Sequence, residues 1–144
     1  MKKVFLLFAF IALNTVSFAQ IGAKIEFLNK DNTIDYGTVT KETDSGIRTF
    51  IFKNTGDAPL IITNVQSTCG CTVPTKPTGP ILPGMTDKID VKYNMNPGPI
   101  RKTITVESNA TNYEGGMVPL KIKGTVVVPE AVNVMEKKKS LPSN

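Results

Sequence analysis

Apolar and polar residues alternate along most of this chain in short runs of period two, the pattern of strands half-buried on a sheet. Residues 87–94 (DKIDVKYN) show it most cleanly, with Ile89, Val91 and Tyr93 predicted inward and Lys88, Asp90 and Lys92 outward. Residues 46–54 place Phe50 and Phe52 on one face, with Arg48 beside them near the start of the strand. Residues 101–107 turn Ile104 and Val106 inward, and residues 118–128 do the same with Leu120, Ile122, Val126 and Val128. In residues 60–68 the phase puts Ile61 and Val65 on one side. Residues 24–28 and 34–39 read as a single first strand, broken and bent at Gly37. No window carries a helical period of apolar residues.

Gly and Pro punctuate these runs. Residues 55–59 (TGDAP) and 96–99 (NPGP) are turn sequences. Residues 74–84 hold Pro74, Pro77, Pro80 and Pro83, too many for an internal strand, and are expected to form a surface connection crossing between two sheets. About seven strands at short, regular spacing predict an all-β, immunoglobulin-like β-sandwich over residues 20–128. From residue 129 the alternation stops and charge rises, so residues 129–144 are expected to be a flexible charged tail.

The first twenty residues follow a different logic. Lys2 and Lys3 precede a ten-residue apolar run over residues 4–13, and Ser17-Phe18-Ala19 puts small residues where a signal peptidase reads them. A signal peptide over residues 1–19 is expected, cleaved between Ala19 and Gln20. The apolar run is far shorter than the roughly 20 residues a membrane-spanning helix needs. The expected location is therefore extracytoplasmic, periplasmic or secreted, with no transmembrane span in the processed chain. The formal net charge of +5 changes meaning in this light. Two of the cations leave with the signal, and Lys137, Lys138 and Lys139 sit in the tail. The folded body is close to neutral, which argues against nucleic acid as a partner.

Residues 50–84 (FIFKNTGDAPLIITNVQSTCGCTVPTKPTGPILPG), read with 102–110 (KTITVESNA) and 120–124 (LKIKG), carry a resemblance. They are similar to an exported bacterial family of Ig-like domains of unknown function, marked by a Ser/Thr-Cys-Gly-Cys-Thr motif. That family is itself similar to the abnormal-spindle/Hydin-like and major-sperm-protein-like sandwiches. The resemblance covers roughly residues 34–127. It implies the fold and export, and it implies no activity.

Cys69-Gly70-Cys71 is the one constellation with chemistry in it. On extended backbone the two side chains share a face, with Cα atoms about 6.5 Å apart, the upper end of disulfide geometry. Three readings stay open. One is a local disulfide, favoured by an oxidising compartment and the absence of any other cysteine. The second is a thiol–disulfide exchange centre. The third is a soft-metal site for copper or zinc, with Met85, Met95 or Met117 as an added thioether ligand. The chain has no histidine, so neither Ser-His-Asp nor Cys-His catalysis can be assembled from it, and no cofactor motif is present. Asp35, Asp57, Asp87, Asp90 and Glu107 fall on outward strand positions or turns and read as solvated acids. Asn54-Thr55-Gly56-Asp57 could offer oxygens to calcium but reads first as a turn, and the acceptor pattern at Asn109-Ala110-Thr111 reads as chance. The expected function is a non-catalytic binding or scaffolding module whose partner is another envelope or extracellular protein. Redox or copper handling at Cys69 and Cys71 is the alternative.

Overall fold

A computed structural model describes residues 21–130. The expected signal peptide, its cleavage point at Ala19 and Gln20, and nearly all of the expected tail lie outside the described residues.

Eight strands form two four-stranded sheets packed face to face. They are β1 (Ile25–Phe27), β2 (Thr33–Thr40), β3 (Ile47–Asn54), β4 (Ile62–Ser67), β5 (Thr72–Pro74), β6 (Thr86–Tyr93), β7 (Gly98–Ser108) and β8 (Met117–Val127). Sheet A has the order β1-β3-β6-β5 and sheet B the order β2-β8-β7-β4. All pairs are antiparallel except β2 with β8, which run parallel. The immunoglobulin-like sandwich expected from the alternation is present. The short β5, ending at the first proline of the Pro-rich stretch, and the division of the expected first strand into β1 and β2 add to the expected set.

The core comes from the inward positions the alternation predicted. Phe50, Phe52, Ile89, Val91, Ile104, Val106 and Leu120 are withdrawn from water, each contributing about 1.5–3 kcal/mol. Phe27 from β1 packs on Phe52 and edge-on against Phe50, with ring centroids 5.5 and 6.3 Å apart.

Four local expectations change. Residues 24–28 and 34–39 are separate strands in opposite sheets. Between them the chain turns through Asp31 and Asn32, both at positive φ, a conformation that Asp and Asn tolerate. Gly37, at φ 67°, marks a bulge within β2 and not a bend between two halves of one strand. In β4 it is Leu60 and Ile62 that are buried and Ile61 that is exposed, because a bulge between Ile62 and Asn64 resets the phase. Val128 lies beyond the last ladder pair, Thr40 with Val127, and stays exposed.

The fourth change moves the crossing between sheets. Strand β4 ends in sheet B at Ser67 and β5 begins in sheet A at Thr72, so the chain crosses through residues 68–71. The Pro-rich stretch instead links β5 to β6 within sheet A. Pro74 sits at the end of an edge strand, where a missing N–H is tolerated.

Asn54 closes the opposite end of sheet A. It is fully buried, and its side chain is fully used. Oδ1 accepts from the N–H of Lys24 and of Gly56, and Nδ2 donates to the carbonyls of Ala58 and Ile81. Replacing it by Ala would remove a partner from four backbone groups, of which only Ile81 O keeps another, the bond from Leu60 N–H. Asn54→Ala is expected to cost about 2–4 kcal/mol in urea unfolding, the range for breaking a buried polar network. Asn96→Ala, at an exposed turn position, should stay within about 0.5 kcal/mol.

Candidate functional site

The crossover that carries Cys69-Gly70-Cys71 is pinned to both sheets. Thr68 N–H donates to Thr103 O of β7, and Cys71 O accepts from Asn94 N–H at the end of β6. Between these anchors Cys69 and Cys71 form a disulfide, with Cα atoms 5.3 Å apart. The separation is shorter than an extended segment gives because the backbone turns here, Thr72 N–H reaching back to Cys69 O. Both cysteines are half-buried, and Cys71 packs against the edge of the core. Gly70 faces open space, with nothing near the position a Cβ would occupy. Thr72 is buried beneath the bridge, its hydroxyl 4.0 Å from each sulfur.

In this form neither sulfur is a free thiolate, which a soft metal would require. The structure does not gather the three methionines around the pair. Met85 precedes β6 and Cys71 lies beside the residue that follows it, so the whole eight-residue strand, about 26 Å, separates them. Met117 opens β8 opposite Glu107, and Met95 is buried against Gly46 as core packing. Among the described residues no group of three or more Cys, Asp or Glu is placed to hold a metal.

The other motifs spend their polar atoms on their own backbone. Asp57 Oδ1 accepts from Gly22 N–H at 2.6 Å, and with Asn54 it ties the turn to the segment entering β1, the turn role expected of these residues. Leu82-Pro83-Gly84-Met85 closes a turn by the bond from Met85 N–H to Leu82 O. Pro at its second position and Gly at φ 80° in its third are what a type II turn demands. Asn109, in the glycosylation-like triplet, uses both ends of its amide on Ile61 N–H and Pro59 O. Of the acids, Asp35, Asp90 and Glu107 lie on strands and bond to neighbours, and none converges on another carboxylate.

A latch that joins the two sheets escaped the sequence reading. Arg48 of β3 stacks 3.9 Å over the ring of Tyr36 of β2 and grips Asp44 through two nitrogens, at 2.6 and 3.0 Å. Asp44 also accepts from Gly46 N–H, and Tyr36 Oη donates to Gly46 O. Gly46 O takes a second bond from Tyr93 N–H, one residue from the Asn94–Cys71 anchor. The Arg48 bonds chiefly, helped by Gly46 N–H and opposed by burial, hold the Asp44 carboxyl below the usual carboxylate range. Burial pushes the Tyr36 phenol up to about 12. Only Arg48 stood out in sequence, since the contact needs strands from two sheets.

Comparison with known proteins now places the chain. It belongs to the family described as protein of unknown function (DUF1573), whose model matches residues 26–126. A comparison with curated proteins finds no match. Among solved structures it is similar to a protein of unknown function from Porphyromonas gingivalis W83 (TM-score 0.61, 15% identity), over 74% of this chain and 48% of that one. It is similar to a PapD-like domain of human CEP192 (0.54, 13%), over 74% of this chain and 87% of that domain. It is also similar to part of the secreted serine protease VesC from Vibrio cholerae (0.50, 17%), over 74% of this chain and 23% of that one. The chain thus spans about half of the first and a quarter of the last. At these identities the likeness speaks for the fold.

The latch makes a prediction about pH. The carboxyls of Asp44, of Asp90 (through the Thr49 hydroxyl) and of Asp35 (through Gly37 N–H) all have folded pKa values below their usual range. Each therefore contributes stability that is present above the unfolded value of about 4 and lost as pH falls through the folded value. With no histidine in the chain, urea midpoints are expected to be nearly flat from pH 5 to 8 and to fall below about pH 4. Asp44→Asn should lower the plateau and flatten the acid limb. An unchanged acid limb in that variant would show that the latch carboxylate is not what titrates.

Proposed function

We propose that this DUF1573 member is an exported, non-catalytic docking module that binds another envelope or extracellular protein through the free edge of β2. The observation that carries the reading is that edge. Strand β2 is eight residues long and ends sheet B, with no strand on its outer side among the described residues. The edges of sheet A are short, β1 being covered at Ile25 by two bonds from the Asn112 amide and β5 being three residues ending in Pro74. The other edge of sheet B, β4, is shorter than β2 and carries the Lys76 ammonium on Thr63 O. An unpaired strand edge is a template for an added strand, main-chain bonds supplying affinity and alternate side chains specificity. The bulge between Asp35 and Thr38 interrupts the edge and guards it against indiscriminate pairing. Export rests on the charged, apolar and small-residue pattern of residues 1–20, and a disulfide fits an oxidising compartment. The lack of histidine, and polar motifs turned onto their own backbone, support a module without catalysis.

A photo-crosslinking residue placed at Thr38 in intact cells should give a discrete adduct, and the same residue at Lys92, exposed on sheet A, should not. An edge that yields no adduct, or adducts equally from both positions, defeats the edge reading.

A second reading is favoured by the disulfide itself. It closes a ring across a single residue, so on the chain-entropy account it contributes under about 2 kcal/mol to stability. It is half-buried on the crossover, beside the exposed Gly70, with the Thr72 hydroxyl 4.0 Å from each sulfur and placed to donate to a released thiolate. A bridge that does little for the fold, yet is not sealed in the core, suits exchange with a partner dithiol: the partner's two thiols would be oxidised as the pair takes up two electrons and two protons. The Cys69→Ser/Cys71→Ser variant is expected to fold, losing less than about 2 kcal/mol in urea unfolding. If cells carrying it are indistinguishable from wild type under thiol stress, the exchange reading fails.

A further inference from the structure

The body of the domain is almost neutral, with twelve basic and eleven acidic residues in 21–130. Its charge is nevertheless not evenly spread. The outer face of sheet B carries an open cleft of about 420 Å³, lined by Thr33, Arg101, Thr103, Lys121 and Lys123 among others, and no acid lines it. The register builds it. Lys121 stands between Thr33 of β2 and Thr103 of β7, and Lys123 between Asp35 and Arg101. Three cations from two adjacent strands thus share one face. The nearest carboxylate is Asp35, 3.5 Å from Lys123. Both of those side chains are more than half exposed, a pairing that contributes little and exchanges readily. Arg101 and Lys121 have no acidic partner among the described residues.

We infer that this face is a recognition surface for an extended acidic peptide segment of the acid-x-acid type. The spacing selects that ligand. Lys121 and Lys123 are two residues apart on one strand, about 7 Å, which is the distance between alternate side chains of an extended peptide. One carboxylate of such a segment meets Lys121 with the hydroxyls of Thr33 and Thr103 beside it. The next lies between Lys123 and Arg101, directly opposite each other across the β7–β8 pair and able to share one carboxylate. A single phosphate could occupy one of these positions but not both. The cleft has no covering wall, which suits a chain laid across a sheet better than an enclosed small molecule. The inference goes beyond the edge reading. It concerns a face, not an edge, and either surface can fail without the other.

The test is a titration of isotope-labelled domain with a blocked hexapeptide of alternating Glu and Ser, compared with the same peptide carrying Gln for Glu. The expected result is amide shifts concentrated at residues 101–103 and 121–123, with binding at least tenfold weaker for the Gln peptide and weakened by salt. Lys121→Glu/Lys123→Glu should lose the binding at least tenfold while keeping its circular dichroism spectrum and thermal midpoint. Lys92→Glu, on the outer face of sheet A, should bind the peptide as wild type does. Equal binding of the two peptides, shifts centred elsewhere, an undiminished double variant, or tighter association with phosphatidylglycerol vesicles than with the peptide would each overturn the assignment.

Discussion

The amide of Asn54 is the constraint on which much of the sandwich leans. Its side chain is shut away from water, where an unpaired polar group costs more than a satisfied one returns. Its partners come from three segments, two of them distant in sequence: Lys24 entering β1 and Ile81 in the Pro-rich connection, with Gly56 and Ala58 in the turn that follows β3. Its own backbone adds Met85 O and Gly84 N–H. One residue therefore sets how β1 reaches β3, how the turn runs and where the connection is anchored. Gly56 follows from this. A Cβ there would sit 2.2 Å from Gly22 O, so the approach that Asn54 organises leaves room only for glycine.

That division of labour explains why the motifs that carry the family resemblance are not equivalent. Asn-Thr-Gly-Asp and Ile-Leu-Pro-Gly meet at one end of sheet A, and their polar atoms hold backbone. They are folding instructions. Cys-Gly-Cys lies elsewhere, on the path from β4 to β5, and has no comparable structural duty. Thr68 and Cys71 anchor the crossover through main-chain bonds that would persist with any side chain at positions 69 and 71.

The class of fold was legible because alternation survives wherever strands pair without interruption. Ile89, Val91 and Tyr93 sit where period two puts them, in a strand that pairs with β3 without a shift. Ile61 was misplaced because one bulge reverses the facing of what precedes it, and a bulge has no signature in a single sequence. Prolines exclude internal strands, which points to a crossing over residues 74–84, yet an edge strand tolerates them and Pro74 ends one. The candidate site was legible only as far as it is local: two cysteines two residues apart announce themselves. The Arg48–Tyr36 latch and the Arg101–Lys121–Lys123 face depend on which strands become neighbours. Along the chain those cations look like scattered solvated charges, and only register brings them together.

The two outer faces then differ in a way that bears on which side of the molecule works. On sheet A, Thr49 donates to Asp90 at 2.6 Å and Lys88 stands 3.4 Å from the same carboxylate, while Lys53 and Lys92 stand singly without an acidic partner among the described residues. On sheet B, Arg101 and Lys121 have no acidic partner among the described residues, and the neighbouring strand β2 has an open side. Unmatched charge and unpaired backbone are both costs that a free sheet bears by hydration, and both are recovered only when another molecule supplies the complement. Their coincidence on adjacent strands of one sheet is what the proposed docking through sheet B rests on. The cores of the two sheets give no such distinction, being equally dry. It is the outward residues, which the fold does not need, that separate them.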